Sequence, residues 1–184
     1  IRAEVTATPH VAYQRFHFPK GADNHLLFDI GNRQGESGAV ADAFVSYTED
    51  GRVEGWVITL PEYVKKYQPG AQVPLYFSAV LDKQPSLFGT FQGEKQQPGA
   101  RELKGVGAGV YLTYDFPEAE SVTAKIGLSY TSVENARLNL EAEAKDLSFD
   151  EAKEQAHRTW EEYLGRIRVE TSKREDKVKF YTGL

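Results

Sequence analysis

The sequence lacks both cysteine and methionine, and it contains only two tryptophans in 184 residues. Without cysteine, the chain has no disulfide framework, no thiolate metal site and no cysteine nucleophile. This absence does not decide between the cytosol and an exported location. The chain starts at Ile1 without an initiator methionine and without the pattern of a signal peptide. We therefore expect the natural N-terminus, with any export signal, to lie upstream.

An excess of charge of one sign is also missing, as are long apolar runs. The net charge is −5, and the two basic clusters, Lys65 with Lys66 and Lys173 with Arg174, are short. This pattern argues against a nucleic-acid partner. No apolar run has the length of a membrane-spanning helix, so we expect no membrane span. The 40% of hydrophobic residues is sufficient for one domain with a substantial core.

Residues 1–130 carry the pattern of β-strands. Apolar residues alternate with polar ones at period two, which predicts strands with one buried and one solvent-facing side. The alternating residues are Leu26, Phe28 and Ile30; Leu75, Phe77, Ala79 and Leu81; Val110, Leu112, Tyr114 and Phe116; and Val122, Ala124, Ile126, Leu128 and Tyr130. Asp50 and Gly51 separate two further apolar runs, which indicates an antiparallel hairpin. We predict a mainly β fold, an antiparallel β-sandwich, with a barrel as the alternative.

Aromatic residues thin out after residue 130 and charged residues become denser, which is typical of helices. Ser148 and Glu151 have the spacing of a capping box, and Gly165 is a suitable helix end. One apolar stripe follows the cap: Ala152, Ala156, Trp160, Tyr163, Leu164 and Ile167. We assign 131–171 to a helical linker with a return strand and expect the sandwich to bury this stripe, with a further helical domain as the alternative. A second box, Ser172 with Glu175, predicts a new helix over 172–184.

The glycine-rich run at 105–109 resembles a phosphate-binding loop only in composition. A dinucleotide site needs a helix N-terminus directly after the glycines, and here a strand pattern follows. We interpret the run as the start of a strand.

Histidines and aspartates form no pattern that specifies chemistry. His10, His17, His25 and His157 lack metal-ligand spacing. His25 with Asp23 is a possible ligand pair, although a solvated turn is the favoured interpretation. Three aspartates lie near predicted strand ends, where turn residues are common: Asp29, Asp82 and Asp115. A catalytic carboxylate pair cannot be chosen among them, because its separation is a property of the fold.

Three aromatic residues could stack on sugar rings: Trp56, Tyr63 and Tyr67. The favoured interpretation places Trp56 in the core and the two tyrosines in an ordered loop. Asn135 and Arg137 follow the last predicted strand. We expect their side chains to bond backbone groups at this corner or to hold the linker against the sandwich.

Several segments, in order along nearly the whole chain, resemble glycoside hydrolase family 92. They read VTATPHVAYQRF at 5–16, LLFDIG at 26–31, VEGW at 53–56, LYFSA at 75–79, IGLSYTSVENARLNLE at 126–141 and FYTGL at 180–184. The resemblance to the family's N-terminal domain implies a galactose-mutarotase-like supersandwich over 1–130, truncated at both ends. It also implies that 172–184 begins an (α/α)6 catalytic domain.

What the resemblance implies about function is a bacterial, exported, calcium-dependent exo-α-mannosidase, with α-1,2 linkages as the expected substrate. Inversion requires one carboxylic acid and one carboxylate base. The resemblance places both, with most Ca²⁺ ligands, in the catalytic domain, so we assign no catalytic, cofactor-binding or metal residue to this chain and expect it to be inactive alone. The expected location is periplasmic or extracellular, and the expected partners are the catalytic domain and mannose-containing glycans. The alternative is a stand-alone carbohydrate-binding or adhesin sandwich.

Overall fold

The computed structural model describes residues 1–33 and 38–184, with the backbone alone at Ala22. Eleven strands come first in the described chain, and they are interrupted by one helical turn, α1 (Glu62–Lys65). The strands are β1 (Arg2–Ala7), β2 (Val11–Phe18), β3 (Gly21–Asp29), β4 (Ala39–Tyr47), β5 (Val53–Leu60), β6 (Val73–Leu81), β7 (Leu87–Gln92), β8 (Lys95–Pro98), β9 (Glu102–Lys104), β10 (Ala108–Phe116) and β11 (Glu120–Ser129). Three helices follow: α2 (Val133–Ala144), α3 (Phe149–Leu164) and α4 (Arg174–Thr182).

The strands form two antiparallel sheets, which confirms the sandwich and excludes the barrel. The seven-stranded sheet has the order β1-β2-β11-β6-β5-β4-β9, and the four-stranded sheet has the order β3-β10-β7-β8. β4 and β5 form the predicted hairpin, and Gly51 in its loop has a φ of +82°, which a glycine adopts without strain. Strand β10 starts at Ala108, directly after Gly107, as predicted for the glycine-rich run.

The core lies between the two sheets and is built from the alternating residues that the sequence indicated. From β10, Val110, Leu112 and Tyr114 are almost fully buried. They pack with residues of both sheets, among them Phe18, Leu26, Val45, Val53, Phe77, Ala79 and Val122. Burial of this apolar surface is the main stabilisation of the sandwich.

Strand β11 was predicted to have one buried and one solvent-facing side, but part of its outward side is buried as well. Val122 and Ala124 point into the core, but Thr123 and Gly127 are buried as well. The reason is that α2 lies on the outer side of this strand: a Cβ at Gly127 would overlap the Ala136 carbonyl oxygen and come within 2.8 Å of Leu140 Cγ. Glycine therefore permits the close approach of helix and sheet. Tyr130, beyond the end of β11, is exposed.

The helix boundaries agree with the sequence at α3 and differ from it further on. Ser148 and Glu151 form the predicted capping box, and α3 ends at Gly165. The box predicted at Ser172 does not form, because α4 has Lys173 at its N-cap and no side-chain cap bond. The predicted return strand is also wrong. No strand is present in residues 131–184; the hydroxyl of Tyr181, not a ladder partner, bonds the Ile167 carbonyl and the Val169 N–H.

The apolar stripe of α3 is only partly covered, contrary to the prediction that the sandwich buries it. Ala152 is fully buried, whereas Trp160 is 66% exposed, and Tyr163 and Ile167 are exposed too. Only the first turns of α3 touch the sheet, so its second half extends beyond the sandwich. Among the described residues, no helix combines the length and the apolar character needed to cross a membrane.

Candidate functional site

The candidate site is the contact between the seven-stranded sheet and the helices, outside the sandwich core. Its centre is apolar: Val11 and Tyr13 of β2 pack against residues of α2 and α3, namely Leu140, Ala144, Phe149 and Ala152. Three clusters of charged and polar side chains surround this centre. Each of them joins the sheet, or the strand ends beside it, to a helix.

The first cluster is formed by Glu54, Ser78 and Arg137. Glu54 of β5 is buried, and its Oε1 accepts from Arg137 Nε at 2.7 Å and from Ser78 Oγ at 2.5 Å. Arg137 Nη2 donates to Oε2, so the ion pair is bidentate. The bond to Glu54 raises the pKa of Arg137. With both oxygens of Glu54 engaged, this carboxylate serves as an anchor for α2.

The second cluster is centred on Glu143, in the last turn of α2. Its Oε2 accepts from Thr8 Oγ1 at 2.5 Å and from the His10 N–H at 2.9 Å, and its Oε1 lies 2.6 Å from His10 Nδ1. Burial acts to raise the pKa of Glu143, but the bonds from Thr8 and from the backbone and ring of His10 outweigh it and lower the pKa. Glu143 therefore stays charged and fixes the β1–β2 turn to α2.

The third cluster links β1 and β2 to the start of α3 through Arg15. The guanidinium donates to both oxygens of Asp150 at 3.0 and 3.1 Å and to Glu4 at 3.0 Å, and it lies 4.1 Å from the centre of the Phe149 ring. His17 Nε2 is 2.6 Å from Glu4 Oε2. The bonds from His17 and then Arg15 lower the pKa of Glu4 from 4.5 to about 2.

A groove of about 1020 Å³ runs between these clusters, over β6 and β11 and along α2. It contains four carboxylates: Asp82, Glu134, Glu141 and Asp150. Asp82 accepts the Thr123 N–H at 2.8 Å, and Glu141 pairs with Lys145. The pKa of Glu134 is lowered by its own N–H and by Ser132, and that of Asp150 is lowered by Arg15. A general acid needs a raised pKa, so neither of these two groups is suited to protonate a leaving oxygen.

The histidines are not brought together. His10 and His17 bond Glu143 and Glu4, and His157 lies 4.0 Å from Glu161 on α3. His25 lies within β3 rather than in the expected turn, and its Nδ1 is 3.0 Å from Thr113 Oγ1. In residues 1–33 and 38–184, no group of three or more His, Cys, Asp or Glu side chains could hold a metal ion.

The three strand-end aspartates have structural partners or an exposed position. Asp29 ends β3 and accepts from Asn32 Nδ2 at 2.7 Å, and Asp82 directly follows β6. Asp115 is exposed near the end of β10. This agrees with the interpretation as strand-end residues.

The three aromatic residues considered for sugar stacking do not form a common platform. Trp56 of β5 stacks on Phe44 with ring centres 6.4 Å apart, and Lys104 lies over its ring. Tyr63 in α1 and Tyr67 after it are exposed. The ring contacts of the described residues include none that joins these three side chains.

At the corner between β11 and α2, Arg137 holds the linker against the sandwich, as predicted, whereas the side chain of Asn135 bonds another side chain and not the predicted backbone group. Ser132 Oγ accepts the Asn135 N–H and caps the helix, and Asn135 Nδ2 donates to Thr131 Oγ1 at 2.6 Å. Arg137 makes the contact to the sandwich through Glu54.

Sequence reasoning missed the carboxylates that fasten the helices to the sheet: Glu54 and Glu4 on the strands, and Glu143 and Asp150 on the helices. Glu54 occupies an outward position of a strand, where a charged residue is expected to be solvated. It is buried because α2 covers it, and its partner lies 83 residues away. A single sequence contains no signal for a pair at that distance.

Two sequence models of glycosyl hydrolase family 92 match the chain. The model of the N-terminal domain matches residues 1–129, and the model of the catalytic domain matches residues 135–184. The second match begins inside the segment 131–171, which the sequence assigned to a linker. No functionally curated protein matches.

Several solved structures share the fold. The family GH92 α-mannosidase BT3965 from Bacteroides thetaiotaomicron has a TM-score of 0.84 at 22% identity, over 98% of this chain and 24% of that one. The GH92 glycosyl hydrolase CcMan5 has 0.75 at 29% identity, over 92% and 21%. The inverting GH92 mannosidase BT2199 from Bacteroides thetaiotaomicron has 0.73 at 20%, over 92% and 21%. The chain thus spans less than a quarter of the length of these structures.

Proposed function

The chain belongs to glycosyl hydrolase family 92, and we propose that it supplies the N-terminal sandwich and the first helices of an exo-acting, inverting α-mannosidase. The observation that carries this proposal is the order of the two domain matches, with the N-terminal domain at 1–129 and the catalytic domain from 135 onwards. Two similar structures are described as α-mannosidase and as inverting mannosidase, which supports the same activity here.

The role we propose for this chain is structural: the rigid sandwich holds the first helices of the catalytic domain in place. Helices α2, α3 and α4 all fall almost entirely within the catalytic-domain match, so the clusters of Glu54, Glu143 and Arg15 connect the two family domains. An enzyme loses catalytic rate when the residues that position its reacting groups shift by about 1 Å. The sandwich therefore contributes to catalysis through position.

The chemistry requires one carboxylic acid to protonate the glycosidic oxygen and one carboxylate to activate water on the opposite face of the sugar. The groove carboxylates Glu134 and Asp150 have lowered pKa values, which is the wrong direction for the acid. A lowered pKa does not exclude either of them as the base, and we assign both the acid and the base to the remainder of the catalytic domain on the family resemblance alone. The family resemblance implies that Ca²⁺ would bind there as well and would supply contacts to sugar hydroxyls.

The rest of a catalytic domain is also the partner that suits the second half of α3. Trp160 and Tyr163 are exposed on this helix and Ile167 is exposed just beyond its end, and the helix lies wholly inside the catalytic-domain match. An exposed apolar stripe of this kind marks an interaction surface. We propose that the following helices of the same enzyme cover it.

The expected substrates are glycans that end in α-linked mannose, with α-1,2 linkages foremost, and the expected setting is the periplasm or exterior of a bacterium. The alternative is a stand-alone carbohydrate-binding or adhesin module. The match to a catalytic domain does not favour it, and neither does the placement of Trp56 against Phe44.

The proposal is tested on the chain continued through a complete catalytic domain. Proton NMR of the reaction with a panel of mannobioses should show mannose released first as the β-anomer, fastest from the α-1,2 linkage. Chelation of divalent cations should abolish release, and Ca²⁺ should restore it. Release of the α-anomer would contradict the inverting mechanism, and activity that survives chelation would contradict the calcium requirement.

A further inference from the structure

The outer face of the four-stranded sheet carries two aromatic side chains in an unusual position. Val110 and Leu112 of β10 point into the core, so Gly109 and Tyr111 point outward. In the neighbouring strand β7, Gly89 and Phe91 are their direct partners: Gly109 pairs with Phe91, and Tyr111 pairs with Gly89. Each aromatic residue therefore faces a glycine on the other strand.

Both rings lie across the glycine opposite. A Cβ at Gly109 would overlap Cζ of Phe91 and come within 2.8 Å of Cε2, and a Cβ at Gly89 would come within 2.6 Å of Tyr111 Cζ. The rings thus rest on the backbone, as aromatic residues do when they cover sheet glycines. Phe91 and Tyr111 are half-buried, which leaves their outer sides open to solvent.

The surroundings of the two rings combine apolar and hydrogen-bonding groups. Leu27 of β3, paired with Tyr111, is 64% exposed, and Leu87 of β7 is 66% exposed. Asp29 of β3 pairs with Gly109, and Gln96 of β8 pairs with Phe91, so these two polar residues lie at opposite edges of the sheet. The middle of the face is therefore apolar and flat, and side chains with hydrogen-bonding groups lie at its borders.

We propose that this face binds pyranose rings of an oligosaccharide by stacking on Phe91 and Tyr111. A pyranose has an apolar C–H face and a rim of hydroxyls, which complements a flat aromatic surface with polar borders. A protein partner would gain more from protruding side chains or a concave pocket, whereas these rings are held flat. The face lies on the opposite side of the sandwich from α2. The proposal goes beyond the proposed function, because it assigns a carbohydrate contact to this chain and requires no hydrolysis.

Native affinity electrophoresis of the 184-residue chain in gels containing α-mannan tests the proposal, with xylan gels as the second arm. The chain should be retarded by mannan. Phe91→Ala and Tyr111→Ala should each weaken retardation roughly ten-fold, the scale of one lost stacking contact. Phe91→Tyr and Tyr111→Phe keep the rings and should behave like the unaltered chain. Tyr63→Ala and Tyr67→Ala, exposed aromatic residues elsewhere, are the matched controls and should change nothing.

Thermal melts of each variant distinguish loss of binding from loss of folding. Gln96→Ala removes a polar side chain at the border of the face and tests the site while both rings remain. Retardation by xylan instead of mannan would keep the site and change its sugar. The proposal is overturned if neither polysaccharide retards the chain, or if folded Phe91→Ala and Tyr111→Ala proteins are retarded normally. It is also overturned if Phe91→Ala and Tyr111→Ala do not weaken the retardation of the longer enzyme, because a protein domain then covers this face.

Discussion

Arg137 of α2 and Glu54 of β5 form a bidentate ion pair that fastens the first helix after the sandwich to the seven-stranded sheet. The Glu54 side chain is 6% exposed, and the Arg137 side chain is 50% exposed. Ser78 donates to the same carboxylate, so a buried charge is fully bonded within the chain. Removal of the arginine would leave this carboxylate without its main partner.

We therefore expect Arg137→Ala to lower the free energy of unfolding by about 2 kcal/mol. Loss of one partner of a fully buried pair typically costs about 3–5 kcal/mol, and the half-exposed arginine reduces that figure. Urea denaturation followed by circular dichroism measures it. Arg158→Ala, which breaks an exposed pair with Glu154, is the matched control and should cost at most about 0.5 kcal/mol. Equal effects of the two changes would refute the role of Arg137 as an anchor.

Helix α3 provides a comparison between its covered and its uncovered end. Phe149 is buried against the sheet, whereas Trp160 is exposed. Phe149→Ala should destabilise the chain by about 3–5 kcal/mol. Trp160→Ala should leave the thermal melt of the chain nearly unchanged, within about 0.5 kcal/mol, because about two thirds of this residue is exposed in the folded chain.

In the longer enzyme, Trp160→Ala should lower activity because the helices proposed to cover it lose their contact. A large destabilisation of the 184-residue chain by Trp160→Ala would show that the sandwich buries this residue after all.

The cluster of Glu4 predicts a loss of stability in acid. His17 and Arg15 lower the pKa of Glu4 from 4.5 to about 2. A carboxylate whose pKa is lower in the folded state stabilises the fold above its unfolded pKa, and that stability is lost as the pH falls from about 4.5 toward about 2. The stability difference between the unaltered chain and Glu4→Gln should therefore shrink over that interval. Glu94→Gln, in an exposed turn, is the control and should give no such change. A difference that is independent of pH would contradict the assignment.

The fold could be predicted from the sequence where one local rule decides the outcome. Val110, Leu112 and Tyr114 alternate at period two and form the core, Gly51 makes the hairpin turn, and Ser148 with Glu151 starts α3. Each of these features is set by residues close together in the chain. The family resemblance was confirmed by the domain matches.

The features that could not be predicted depend on contacts between distant residues. Glu54 is buried only because α2 covers its side of the sheet, and Gly127 matters only because α2 approaches β11 there. Trp160 was expected on the sandwich because its spacing gives an apolar stripe, but spacing does not specify which surface covers a stripe. The paired rings of Phe91 and Tyr111 depend on strand register, which the sequence left open.

The central claim is that this chain is a structural support for the catalytic domain of an α-mannosidase. The general acid and the general base then belong to the rest of the catalytic domain. The most direct test is hydrolysis of an aryl α-mannoside with Ca²⁺ present, measured for the pure 184-residue chain and for the chain continued through a complete catalytic domain. We predict turnover by the longer protein and none by the 184-residue chain. Turnover by the 184-residue chain that a single substitution within it abolishes would contradict the account.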